Sequence, residues 1–245
     1  MELTVQTQAI QHAQADALIV NLFEGVALPG GGTGAVDQAL DGWIAKSLAS
    51  SRAFFKGKLG DTLVLPTYGK LSASWVIVVG LGPADKLDGF ALRRAAAAAA
   101  RAVDKLRVAS AATLLHGAGI GGFDVRAAAR LLAEGTLLGA YAFDLHKQTP
   151  PEGAPLRLER LTVAEIDASR LDAIRAGLAE GERIAKATNL ARTWVMDSPA
   201  HVTPTFLKER AEAIPGLACT VYDMAACRAM GMGAFDLVAK GSDEP

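Results

Sequence analysis

Cysteine is scarce in this chain: its 245 residues hold only Cys219 and Cys227. Two thiols without a second pair or a neighbouring histidine exclude a disulfide framework and a cysteine-type zinc site, and read as free thiols of a reducing compartment. Histidine is nearly as rare. His12, His116, His146 and His201 are scattered without H-x-x-x-H spacing, so none pairs locally as a metal ligand, and surface or capping roles are expected. Charge of one sign is missing too: 25 Lys and Arg face 26 Asp and Glu, which leaves no excess to attract nucleic acid or an anionic membrane. Long hydrophobic runs are absent. The most uniform one, Ala95 to Ala100, is flanked by Arg93, Arg94 and Arg101, far short of the roughly 18 apolar residues a bilayer span needs. The start, MELTVQTQAIQHAQ, lacks the basic end and apolar stretch of a secretion signal, so a cytoplasmic protein is expected. No G-x-S-x-G elbow and no P-loop ending in G-K-S/T occurs, and the acids are spread singly, as with Glu180 and Glu182 on different sides of a helix. No catalytic constellation assembles.

What is present is an alternation of strand and helix patterns. LTVQTQAI and ADALIVNLF read as strands, and GGTGAVDQALDGWIAKSL as a glycine turn opening a helix. DTLVLPTYG and SWVIVVGLG read as neighbouring strands, followed by FALRRAAAAAARAVDKL, a helix on alanine propensity. AATLLHG, FDVRAAARLLAEGTLLGAYAF and LRLERLTVAEI continue as strand, helix and strand. The order implies an α/β layer around a parallel or mixed sheet. KQTPPEGAP, Lys147 to Pro155, reads as a surface loop within that domain. From residue 166 a helical pattern runs for some two dozen residues, with Ser169 as a candidate N-cap and Leu171, Ile174, Leu178 and Ala185 on one face. The domain boundary is therefore placed at 165, with 166–245 as connector helix and the start of a second α/β domain. There Thr203 and Pro204 open a helix and LACTVYD reads as a strand.

The stretch HGAGIGG raises a sharper possibility. Gly117, Gly119 and Gly122 satisfy G-x-G-x-x-G between a strand and a helix, the setting in which such a loop cradles a pyrophosphate. A dinucleotide site also wants an acid at the end of the next strand, about 20 residues on. Asp144 precedes the Pro-rich loop instead, so a tight turn is the favoured reading, with anion binding at a helix N-terminus as its rival. PGGGTGAVD and VGLGP are further glycine turns after strands, read the same way.

Three segments in order carry a family resemblance. WVIVVGLGPADKLDGFALRRAAAAAARAV resembles the N-terminal domain of the leucyl (cytosol) aminopeptidases, peptidase family M17. AEGTLLGAYAFDLHK is similar to the family's E-G-x-x-L-x-x-Y-x-F-D-x-x-K at Glu134, Gly135, Leu138, Tyr141, Phe143, Asp144 and Lys147. NLARTWVMDSPAHVTPTFL and MGMGAFDLVAKGSDEP resemble the segments that open the catalytic domain. In the first of these Asp197 stands where the family usually has asparagine, and the segment is one residue shorter, leaving His201 out of alignment.

The resemblance implies a macro-domain-like N-terminal domain with a mixed sheet and flanking helices, a connector helix, and the incomplete beginning of an α/β catalytic domain. It implies a cytoplasmic peptidase, usually a hexamer, that holds two divalent metals, manganese or zinc, and removes N-terminal residues from peptides. The metal ligands of the family lie in V-G-K-G-x-x-F-D-S/T-G-G and N-T-D-A-E-G-R, beyond the segment at which this chain stops. No metal ligand or catalytic residue transfers to it, no metal is expected on it, and it is expected to be an inactive N-terminal piece. The alternative is a stand-alone macro-like module that binds a phosphate-bearing ligand or a peptidase partner. Macro domains carry a Gly-Ile-x-Gly loop, which Gly119, Ile120 and Gly122 echo, so Gly117, Gly119, Ile120 and Gly122 are the candidate anion loop.

Overall fold

Strand Ala17–Leu22 is apolar at every position but Asn21, and only a strand covered on both faces has use for such a run. The computed structural model, which describes residues 1–50, 54–119, 121–147 and 157–241, places it well inside a six-stranded sheet. The strands are β1 (Glu2–Thr7), β2 (Ala17–Leu22), β3 (Thr62–Pro66), β4 (Trp75–Gly80), β5 (Ser110–Thr113) and β6 (Arg160–Glu165). Their order is β1-β6-β5-β2-β4-β3. All neighbours pair in parallel except β3, which runs antiparallel to β4 along one edge. The sheet is mixed, and most of the KQTPPEGAP loop lies outside the described residues.

Helices cover both faces. Leu18, Val20, Leu22, Val76 and Val78 point to one side, where they pack with Val36 and Leu40 after α1 (Gly31–Ala39) begins and with Ile44 of α2 (Trp43–Ala49). The single helix expected over this stretch is two, because Asp41 and Gly42 take left-handed conformations. The buried Asp37 carboxylate then accepts the N–H groups of Ile44 and Ala45 and caps the second helix. Ala17, Ile19, Ile77 and Val79 face the other side, against Ala95, Ala98, Ala99 and Ala102 of α3 (Gly89–Leu106). The alanine run is thus a flat helix face laid on the sheet, started by Asp88, which accepts the Ala91 N–H.

On that same side α4 (Val125–Gly139) lies against α3 and, with α5 (Leu171–Met196), covers Val5 and Val163. Small residues set the spacing. A β-carbon at Gly135 would overlap the Arg93 carbonyl oxygen, and one at Gly139 would come within 2.6 Å of the Ala97 carbonyl oxygen. Gly177 and Gly181 of α5 approach the Arg126 and Arg130 carbonyls of α4 as closely. Gly135→Ala is therefore expected to force α3 and α4 apart and cost about 1–3 kcal/mol. Urea unfolding should show a lower midpoint at unchanged slope; a midpoint equal to the parent's would mean the helices are not held at this separation.

The chain divides into two compact units, Met1–Leu190 and Ala191–Pro245. The first therefore runs past residue 165 and takes in most of α5, whose Ile174, Leu178 and Ala185 are buried. Ser169 does not cap this helix: Asp167 accepts the Ser169 N–H and hydroxyl in the short turn that precedes it.

In the second unit α6 (Pro204–Glu212) begins as expected, with Thr203 accepting the Phe206 N–H and proline in the first turn. Two short helices follow, α7 (Met224–Ala229) and α8 (Gly233–Ala239), joined by an ion pair from Arg228 to Asp236. LACTVYD is not a strand. Among the described residues of this unit there is no strand for it to pair with, and Leu217, Val221 and Tyr222 are exposed. Cys227 is the single buried residue between 191 and 241, so the unit has almost no core of its own.

Candidate functional site

The five parallel strands all end on one edge of the sheet, and the segments leaving them enclose a cleft of about 580 Å³. Gln8 to Gln11 follow β1, Phe23 follows β2, Leu81 follows β4, Leu114, Leu115, Gly117 to Gly119 and Gly121 follow β5, and Ile166 follows β6. The chain leaves β2 toward β4 on one side and leaves β5 toward β6 on the other. The carboxyl ends of β2 and β5 therefore form a switch point, where loops diverge and a crevice opens in α/β sheets.

Each side of the switch carries a glycine turn. After β2, Gly30 to Thr33 form the first turn of α1, and the Thr33 hydroxyl donates to the Asn21 carbonyl at 2.8 Å, fixing that turn at the strand end. A β-carbon at Gly32 would meet the end of the Leu114 side chain at 2.6 Å and would push it aside. No side chain caps α1; its first internal bond runs from the Gly34 N–H to the Gly30 carbonyl.

After β5 comes the G-x-G-x-x-G stretch. Gly117 has φ +80° and a β-carbon there would meet Leu92 at 2.9 Å, and one at Gly121 would press on Leu87 at 2.5 Å. Gly122 has φ +68°, its N–H donating to the Gly119 carbonyl, while the Phe123 N–H donates to the Gly117 carbonyl. These are the needs of a tight turn. Gly117 and Gly119 line the cleft and Gly122 does not, and Ile120 lies outside the described residues. The helix this turn opens is already capped, since the Asp124 carboxylate accepts the Ala127 N–H at 2.9 Å.

His116 departs from the surface role expected of it. It is buried, its Nδ1 lies 2.9 Å from Asn21 Nδ2, and its Nε2 has no hydrogen-bond partner among the described residues. Burial pushes its pKa down to about 4, so the ring is neutral at pH 7. Of the other histidines, His12, His146 and His201 are exposed.

The family-like stretch at 134–147 lies away from this cleft and is architectural. Glu134 is buried and receives Arg93 at 3.0 Å and Arg130 at 3.4 Å, Gly135 makes the close helix contact, and Asp144 pairs with Lys147 and Arg157. Several other acids of the first unit serve locally as well. Asp16 bonds Ser110, Asp88 and Asp124 cap helices, and Glu165 accepts the Asp167 N–H and faces Arg170. Within that unit alone, no three described His, Cys, Asp or Glu side chains converge as metal ligands. No helix among the described residues is long and apolar enough to cross a membrane.

Comparison with known proteins agrees with this architecture. The N-terminal domain of the cytosol aminopeptidase family matches residues 19–150. The cytosol aminopeptidase of Pseudomonas aeruginosa is 34% identical over 249 residues, which take in all of this chain and 49% of that enzyme. The chain spans about half the length of the curated relatives it matches. Among solved structures, the bottromycin maturation enzyme BotP, known also in complex with Mn, is 29% identical over 94% of this chain and 44% of its own, with TM-score 0.68. A tomato leucine aminopeptidase superposes on the whole chain and 49% of its own at TM-score 0.80 and 21% identity, a likeness of fold. A Trypanosoma brucei macrodomain shares the fold too, with TM-score 0.55 and 16% identity over 71% of this chain and 65% of its own. With its sheet, its helix packing and its match over 19–150, the chain belongs to the cytosol aminopeptidase family and corresponds to the N-terminal portion of its members.

Proposed function

We propose that these 245 residues are the N-terminal half of a metal-dependent leucyl-type aminopeptidase, and that this half has no peptidase activity by itself. The observation that supports this best is the colinear match of the whole chain to one half of the Pseudomonas aeruginosa enzyme. Two divalent ions that activate a water and polarise a peptide carbonyl need several convergent carboxylates. The acids of the first unit do not fit such a pair, because no three of its described ligand-type side chains converge and most of its acids are engaged in caps, turns and ion pairs, and neither metal-ligand motif implied by the resemblance occurs in the 245 residues. The first unit is then an assembly scaffold. The second, with Leu207, Val221, Phe235, Leu237 and Val238 exposed, offers apolar surface for the rest of a catalytic domain to cover. Cytoplasmic location, peptide substrates and a hexameric assembly belong to the same reading.

Purified from its own source, the product that bears this N-terminal sequence is expected to have a mass well above 25.4 kDa and to hydrolyse leucine p-nitroanilide with Mn²⁺ or Zn²⁺. The 245-residue polypeptide alone is expected to give no turnover under the same conditions. A native product of 25.4 kDa, or metal-dependent hydrolysis by the short polypeptide, overturns the reading.

A further inference from the structure

We propose that β3 is an interface strand: two copies of the chain pair their β3 edges antiparallel about a two-fold axis at Val64, joining their sheets into one and covering the groove beside each edge. The pairing belongs to the first unit and holds or fails whether or not the native product is an aminopeptidase.

In the β3–β4 ladder the Thr67 N–H donates to the Ser74 carbonyl and the Gly80 N–H to the Asp61 carbonyl, so odd-numbered residues turn their backbone groups inward to β4. Thr62, Val64 and Pro66 therefore turn theirs outward, where no described residue meets them. Such a row is a template for another strand unless charges, a bulge or a covering element blunt it. TLVLP carries no charge. The opposite edge strand, ELTVQT, is more polar, with Glu2 held by Arg160.

The occupant follows from the symmetry of the strand itself. The register that overlaps all of β3 with a second β3 is centred on Val64. Each Val64 N–H then donates to the other Val64 carbonyl, and each Thr62 N–H to the opposite Pro66 carbonyl. Pro66, which has no N–H, ends the pairing there. Leu63 falls against Leu65 of the second copy, and Leu65 against its Leu63, at the close positions where apolar side chains touch across strands. An isologous contact needs such a palindrome, and a foreign strand would not require one.

The groove beside the edge supplies apolar area. About 580 Å³ in volume, it is lined by Trp43 of α2, by Phe54 and by Leu63 of β3. Phe54 is fully exposed and Trp43 more than half exposed, an apolar surface that a second copy covers. A two-fold axis normal to the sheet keeps the Leu63 faces of both copies on one side, so the two grooves adjoin. Charge agrees with this register. Asp61, exposed in the groove wall, comes to lie opposite Thr67 of the second copy, beside Lys70 of its hairpin turn, so an acid and a lysine meet at each end of the contact.

The test is sedimentation equilibrium of the 245-residue chain, with hydrogen exchange read at single amides. A monomer–dimer equilibrium in the micromolar range is expected, with the Thr62 and Val64 amides protected in the dimer and exchanging freely on dilution. Thr62→Pro removes an outward donor at the first position of an edge strand, where proline is tolerated, and Phe54→Glu charges a fully exposed position. Each is expected to weaken the dimer at least tenfold and to leave the thermal midpoint of the dilute chain unchanged. Thr7→Pro makes the same change on the opposite edge, where the Gln8 N–H and not that of Thr7 bonds β6, and is expected to leave the dimer as it was. A chain that stays monomeric at millimolar concentration overturns the proposal, even where an added extended peptide protects those amides. Equal weakening in Thr7→Pro and Thr62→Pro overturns it too. So does association that survives both Thr62→Pro and Phe54→Glu, because the exposed apolar surface of the second unit, which neither variant alters, would then be its cause.

Discussion

Replacing Arg93 and Arg130 together by alanine is expected to destabilise the first unit by about 3–5 kcal/mol, more than removing the carboxylate they share. Glu134 has 3% of its side chain exposed, whereas Arg93 and Arg130 have 43% and 35%. The three groups are therefore unequal when a partner is lost. Without both arginines the carboxylate is left between α3 and α4 with no counter-charge, and a stranded charge is the costly case. Without the carboxylate the arginines keep access to solvent, so Glu134→Ala loses hydrogen bonds and some packing, about 1–2 kcal/mol. Chemical denaturation of the three proteins decides the matter. If Glu134→Ala proved as damaging as the double replacement, the triad would be holding the helices by packing, with charge playing little part. The same arrangement gives a physical reason for an E-G pair: acid and glycine are adjacent because α4 presents a charge and a bare backbone to the same neighbour.

Local chemistry was legible in the sequence, and convergence was not. Asp124, Thr203 and Pro204 announce helix starts, and the apolar runs of β2 and β4 announce buried strands, because these effects act within a few residues of one another. LACTVYD has strand-forming composition, but a strand needs a partner, which composition does not reveal, and this segment has none among the described residues. Ser169 and Asp167 are both reasonable caps; only the turn's geometry gives the role to Asp167. The glycines at 117–122 have the spacing of a phosphate loop, but in the structure they meet the needs of a tight turn. Yet whether a helix end can hold an anion depends on whether something already occupies it. Asp124 occupies the end at α4, which the glycine spacing alone does not reveal. His116 was equally hidden, since a lone histidine after a strand gives no sign that its ring turns inward to Asn21.

That buried ring makes stability depend on pH in a window of its own. His116 titrates near pH 4 in the folded protein and near 6.5 once exposed, so the unfolded state binds the extra proton first. Stability therefore rises with pH between those values: it is full above about 6.5 and is lost as pH falls toward 4. The difference amounts to about 3 kcal/mol from this one group. The carboxylates held below their ordinary range act lower down. Asp41 is held by Lys70, Asp144 by Lys147 and Arg157, and Asp167 by Ser169, and what each contributes is present above about pH 3.8 and lost only below it. The two windows barely overlap, so the histidine can be read by itself. Urea unfolding at pH 7 and pH 4.5 is expected to show most of that loss in the parent protein and much less in His116→Phe, which keeps a flat ring but cannot take the proton. Equal losses in the two proteins would mean that His116 gains a proton without unfolding the first unit. Its unpartnered Nε2 would then have to reach water or a carboxylate through a local opening of the β5 turn.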